Sequence, residues 1–226
     1  MRYNVMEYAL EGATPWRRTV VLLHGSRSDH RQLLPLARRL GPRLRVFAPK
    51  SARWVAFGVG RRYYSWFTLQ TLPCPEPISF GDALYQVEQF LWELVQGDAR
   101  MCSPVREKVD LVGYEQGAAL ALALAALWPE LFRAVVSIDG FWPQVPGALR
   151  DGASMRGLPV LLLADRSNMD SHCGMAEAGE EELRRRGARV DVASLPATPD
   201  PDDPDLALRV SAWLEAREHA VEMALN

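Results

Sequence analysis

Six short runs of apolar and β-branched residues, separated by segments with a helical hydrophobic period, constrain this chain more than any other feature. The runs are TVVLLH (19–24), LRVFA (44–48), VDLVG (109–113), AVVSI (134–138), PVLLLA (159–164) and ARVDV (188–192). Helical periodicity marks residues 30–40, 79–96, 116–128, 177–186 and 205–218. A strand that is apolar along nearly its whole length must be covered on both faces, and a helix after each strand carries the chain back so that the next strand runs parallel. The expected fold class is therefore α/β, a mostly parallel central sheet with helices on both faces. A chain of 226 residues that is 48% hydrophobic can bury such a core in a single domain, 1–226. Residues 2–8, RYNVMEY, are a candidate antiparallel edge strand. The prolines of TPDPDDPD (198–205) forbid regular structure until Pro204, which suits the first turn of the last helix with Asp203 as its N-cap.

Charge and composition exclude several classes of function. The 26 Lys and Arg and 28 Asp and Glu give a net charge of -2 and are scattered, so no nucleic acid partner is expected. The longest apolar run, 118–128, is far short of the roughly 20 residues a membrane-spanning helix needs, so no membrane partner is expected. The N-terminus has no apolar core of a secretion signal. Cys74, Cys102 and Cys173 lie in no metal-ligand or redox spacing and read as reduced thiols. A soluble cytoplasmic protein without a metal or other cofactor is the expectation, with a small-molecule substrate or ligand as partner and a homodimer left open.

In parallel sheets ligands sit outside the carboxyl ends of the strands. Three strand ends carry polar residues: LLHGSRSDH (22–30), the turn GYEQG (113–117), and LLLADRSNMDSHC (161–173). The second places Glu115 at the apex of a strand-to-helix turn. Together, LLHG after the first long strand, GYEQG, and Trp213-Leu214 in the final helix resemble the α/β-hydrolase fold, specifically the small carboxylesterase and lysophospholipase-like serine hydrolases. The resemblance spans nearly the whole chain, and RRYYSWFTL (61–69) is similar to an aromatic segment that some of these esterases carry.

The resemblance implies that GYEQG is the nucleophile elbow, Gly-x-Ser-x-Gly. Gly113 and Gly117 match it, and Glu115 stands where the family has serine. It also implies an oxyanion hole built from the backbone N–H groups of Gln116 and Ser26, donors that survive a change of side chain. The family's acid falls at Asn168, or at Asp165 if the loop is shorter. Its histidine falls near Asp200, and no histidine lies between His172 and His219. The nucleophile and the base are both absent from their expected places, which excludes the ordinary Ser-His-Asp mechanism. Neither Ser26 nor Ser28 sits at an elbow.

Glu115 then has four readings. As a covalent nucleophile it would resemble the haloalkane dehalogenases and epoxide hydrolases of this fold, which use an aspartate at the elbow, but its ester would still need a base for hydrolysis. As a general acid or base it would need an apolar pocket to offset the helix N-terminus, whose partial positive charge favours the ionised form. As a binding group it would hold a cationic or hydroxyl-bearing ligand. As a relic it would mark an inactive pocket, although the positive φ normal at an elbow costs a non-glycine residue about 1 kcal/mol or more and argues for use.

Of the four histidines, His24 belongs to the His-Gly turn, where the resemblance implies a structural part, and His219 reads as solvated. His30 lies on the loop above the expected pocket, and His172 follows the strand that normally delivers the acid, where it is a candidate displaced base. Arg27 is a candidate partner for Glu115 or for an anionic group of the substrate. Trp54, Tyr63, Tyr64 and Trp66 are candidates for contact with an apolar or aromatic ligand. The aspartates between 200 and 205 lack the glycine turn and terminal glutamate of a calcium loop. The reading reached from sequence is an enzyme in which Glu115 replaces the serine as acid/base or nucleophile, on a small, partly apolar or aromatic substrate. The alternative is an inactive homologue that binds a ligand or a protein.

Overall fold

The computed structural model describes residues 8–11, 16, 18–41, 43–56, 62–96, 107–147, 149, 154–165, 173–195 and 199–225. In chain order the first elements are β1 (Tyr8–Glu11), β2 (Arg18–Leu23), α1 (Leu34–Arg39) and β3 (Leu44–Pro49). Two small hairpins follow, β4 (Trp54–Ala56) with β5 (Arg62–Tyr64), and β6 (Leu69–Thr71) with β7 (Cys74–Pro75). Then come α2 (Pro77–Gln96), β8 (Val109–Tyr114), α3 (Gln116–Leu127) and β9 (Phe132–Ile138). The last elements are β10 (Pro159–Asp165), α4 (Cys173–Arg185), β11 (Arg189–Leu195) and α5 (Pro204–Leu225).

The central sheet has the order β1-β3-β2-β8-β9-β10-β11. Strands β3 to β11 in that order run parallel, and β1 pairs antiparallel with β3. The candidate edge strand at 2–8 lies mostly outside the described residues; the observed edge strand begins at Tyr8. Side chains alternate across the sheet, so Val21 and Leu23 of β2 join α2 and α3 on one face while Val20 and Leu22 join α1 and α5 on the other. This two-sided burial is what the near-continuous apolar strands require. Among the described residues no helix is long and apolar enough to cross a membrane.

Three helices start away from the sequence expectation, among them α4, which begins at Cys173 and not at residue 177. Helix α1 starts only at Leu34, because residues 29–33 form turns and Pro35 fits only the first turn of a helix. Helix α2 starts two residues early, because the Glu76 carboxylate accepts from the N–H groups of Ile78 (2.9 Å) and Ser79 (2.7 Å) and caps it. The aromatic segment 61–69 supplies β5 and the start of β6. The last helix begins as expected: Pro204 opens it and Asp203 Oδ1 accepts from Asp205 N–H at 2.9 Å.

Candidate active site

The turn between β8 and α3 is held by contacts that leave no room for side chains. A Cβ on Gly113 would collide with the backbone of Gly117 and Ala118, and one on Gly117 would collide with the carbonyl oxygens of Leu23 and His24. Helix α3 can lie this close to β2 and β8 because it is built from alanine and leucine, and its residues from Gln116 to Ala126 are all buried. Between the glycines, Glu115 is forced to φ 48°, ψ -113°, and its N–H donates to Ile138 O at 2.9 Å. Such a conformation costs a non-glycine residue about 1 kcal/mol or more.

The Glu115 side chain turns toward the loop after β2. Its Oε2 accepts from the Ser26 backbone N–H at 3.1 Å and from the Ser26 hydroxyl at 2.9 Å. The N–H that the sequence assigns to the oxyanion hole thus already holds a carboxylate oxygen of the chain itself. Gly25 makes the approach possible, since a Cβ there would stand 2.8 Å from Oε2. Glu115 Oε1 accepts no hydrogen bond from any described residue. Both hydrogen bonds of the Glu115 carboxylate come from Ser26 and none from Arg27, which is exposed and held at φ 50° with its N–H on Ser65 Oγ at 3.0 Å.

Gln116, expected only as a backbone donor, has a second part that its sequence position did not reveal. Its buried amide accepts from Trp66 N–H and donates to Phe67 O, each at 3.1 Å, and so clamps the aromatic segment to the elbow. Trp66 is 2% exposed and stacks on His24 at 4.8 Å between ring centres, so it belongs to the core under the loop and not to a ligand-facing rim. Trp54 is 59% exposed beneath the Arg62 guanidinium, and Tyr64 is half-buried beneath Lys50.

His24 is neutral and fully engaged. Ser51 N–H can only donate, so the Nε2 it meets at 3.2 Å is an acceptor, and Nδ1–H donates to Gly25 O at 2.7 Å. Burial holds its pKa down at about 4. His30 is half-buried on the same loop. His172 and Asn168 lie outside the described residues, and Asp165 ends β10 opposite Leu195.

Asp200, where the resemblance implies a histidine, is brought toward the elbow by its neighbour: Tyr114 O–H donates to Pro199 O at 2.7 Å. Burial, then the charges of Glu115, Asp139 and Asp200, hold the Tyr114 hydroxyl well above the ordinary phenol range. Asp139 had no motif to mark it; it follows β9 at φ 51° with its N–H on Leu163 O at 2.7 Å. Among the described residues no group of His, Cys, Asp and Glu is arranged to hold a metal. In the acidic loop, Asp200 and Asp203 cap backbone N–H groups instead. Two surface clefts, of about 660 Å³ beside Trp142 and about 820 Å³ beside Phe132, are lined by residues that do not include Glu115 or Ser26. The elbow is marked out by its hydrogen bonds.

The fold is shared with solved esterases. A carboxylesterase from Mesorhizobium loti is 23% identical, with a TM-score of 0.73 over 91% of this chain and 98% of its own. The Bacillus cereus carboxylesterase is 17% identical, with a TM-score of 0.74 over 95% of each chain. At these identities the likeness establishes the α/β-hydrolase architecture. No curated protein sequence matches the chain. Residues 6–164 match the Phospholipase/Carboxylesterase family, which is more than half of the sequence and includes the β2 loop, the elbow and nearly all of β10. The chain belongs to the phospholipase/carboxylesterase family of α/β-hydrolases.

Proposed function

We propose that this protein is a family member without serine-dependent ester hydrolysis, which uses the elbow to bind a small, partly apolar ligand with Glu115 as the polar anchor. One observation carries the reading: Glu115 Oε2 occupies the Ser26 donors, the place an ester's carbonyl oxygen would need. A carboxylate lodged there cannot also attack a carbonyl carbon polarised by the same N–H, which argues against Glu115 as the nucleophile of ester hydrolysis. The neutral His24, with both ring nitrogens engaged, supplies no base. Oε1 stands ready to accept from a hydroxyl or ammonium group. A soluble cytoplasmic location fits three cysteines in no pairing pattern.

A second reading keeps catalysis. The strain at φ 48° favours a used side chain, and the same Oε1 is suited to act as a general base on a hydroxyl or water, in hydrolysis, elimination or rearrangement. Here His172, with Asp165 or Asn168, would complete the site.

A fluorophosphonate probe should leave the wild-type protein unlabelled, and strong labelling of any serine would overturn both readings. Glu115→Ser alone should remain inactive on p-nitrophenyl acetate for want of a base. Glu115→Ser with Asp200→His should exceed it by roughly 100-fold. On an identified ligand, Glu115→Gln separates the two readings: weakened binding with no turnover in either protein supports the anchor, whereas wild-type turnover lost in the variant supports the base.

A further inference from the structure

The cleft beside Phe132, of about 820 Å³, opens at the opposite end of the sheet from Glu115. It runs across the starts of four neighbouring strands, β8, β9, β10 and β11, a span of roughly 14 Å at the usual strand spacing. We infer that this cleft is a second ligand site, for a small apolar monocarboxylate whose head pairs with Arg156 and Arg189 and whose hydrocarbon body lies toward Phe132. The inference is independent of the reading of Glu115.

The head end is rigid before any ligand arrives. Met155 N–H donates to Arg186 O and Gly157 N–H to Gly187 O, both at 2.8 Å, and Arg189 N–H donates to Leu158 O at 2.9 Å, so the turn before β10 is laced to the turn before β11. Arg189 Nε donates to Gly157 O at 3.0 Å, which fixes the side chain and leaves its Nη atoms without a partner among the described residues. Arg156, on the neighbouring turn, makes no side-chain hydrogen bond or ion pair with any described residue. Both are exposed, and a guanidinium matches a carboxylate in shape as well as charge. The β8 side of the cleft differs. There Arg133 is already engaged, with Nη2 donating to Lys108 O at 3.1 Å and lying 3.4 Å from Glu107, and Glu130 adds a second carboxylate. Its two positive charges are balanced by two negative ones, whereas no acid lines the Arg156 and Arg189 side. Between the two sides lie Phe132, Met155, Leu158 and Pro159. One anionic group on an apolar body fits this polarity. An acidic peptide would bring further carboxylates against Glu107 and Glu130. The volume falls within the roughly 300–1,000 Å³ of small-molecule sites.

Calorimetric titration of the wild-type protein with sodium octanoate at constant ionic strength tests this. Saturable binding is expected, and 1-octanol, the same chain without the charge, should bind roughly tenfold or more weakly. Arg156→Glu with Arg189→Glu reverses both exposed charges; it should weaken octanoate by a similar factor and leave the near-ultraviolet circular dichroism unchanged. No binding, equal affinity for 1-octanol, or undiminished affinity in the variant overturns the inference. A measurement on the wild type alone guards against a misfolded variant: octanoate should shift the amide resonances of Arg156, Gly157 and Arg189. Shifts confined to Ser26 and Gln116 would put the ligand at the elbow and overturn the inference. Tighter binding of a hexaglutamate peptide than of octanoate would overturn the choice of a monocarboxylate.

Discussion

His24 shows how far one residue's role depends on its hydrogen bonds. With 1% of its surface exposed and both nitrogens bonded to backbone, it links the β2 turn to Ser51 and stacks on Trp66. Its folded pKa of about 4 lies below the ordinary 6.5. Between these values the unfolded chain binds a proton that the folded chain does not, so stability falls as pH drops from 6.5 toward 4. Below pH 4 both states are protonated and this loss is complete, at about 3 kcal/mol. Urea unfolding at pH 7 and pH 4.5 should show the decline in the wild type and a smaller one in His24→Asn. Sequence resemblance implied a structural histidine here. Glu115 was equally visible as an anomaly, but its partner was not, because Ser26 lies 89 residues away and only the paired strands bring the two together.

At the scale of elements, the β8-turn-α3 unit depends on two glycines that do different work from the others. A methyl group on Gly117 meets backbone carbonyls at the end of β2, which belong to the central sheet and cannot move aside. Gly117→Ala should cost roughly 3 kcal/mol or more. A methyl group on Gly81, inside α2, would meet none of the described residues within 4 Å, so Gly81→Ala should stabilise by up to about 1 kcal/mol. Chemical denaturation of both variants checks the contrast. The six parallel strands were legible because the inner ones are buried on both faces and the edge strand β11 still alternates its core-packed valines with polar residues. The small hairpins were not, since β4 to β7 are two or three residues long and carry no period. Nor was the clamp of Gln116 on Trp66 and Phe67, a contact between side chain and backbone 49 and 50 residues apart.

Across the whole molecule, a buried ion pair joins elements from both ends of the chain. Arg18 at the start of β2 donates through Nε to Asp110 Oδ2 of β8 at 2.8 Å, with Nη2 2.7 Å from the same oxygen, and its Nη1 donates to Leu214 O of α5 at 2.7 Å. Both side chains are almost wholly buried. Removing one partner leaves a charge in the core, so Asp110→Ala should cost roughly 3–5 kcal/mol, while Arg18→Met with Asp110→Leu should recover much of it. Urea midpoints of the single and double variants give the comparison.

The sequence by itself determined the α/β architecture and the Gly-x-Glu-x-Gly turn that carries Glu115, because periodicity and short motifs are local properties. Only the tertiary structure decided what Glu115 does with its carboxylate. It lies on the Ser26 donors with one oxygen free of any described donor, because strands distant in the chain end side by side. Hydrogen bonds between residues far apart in sequence leave no pattern along it, and at this elbow they decide the chemistry.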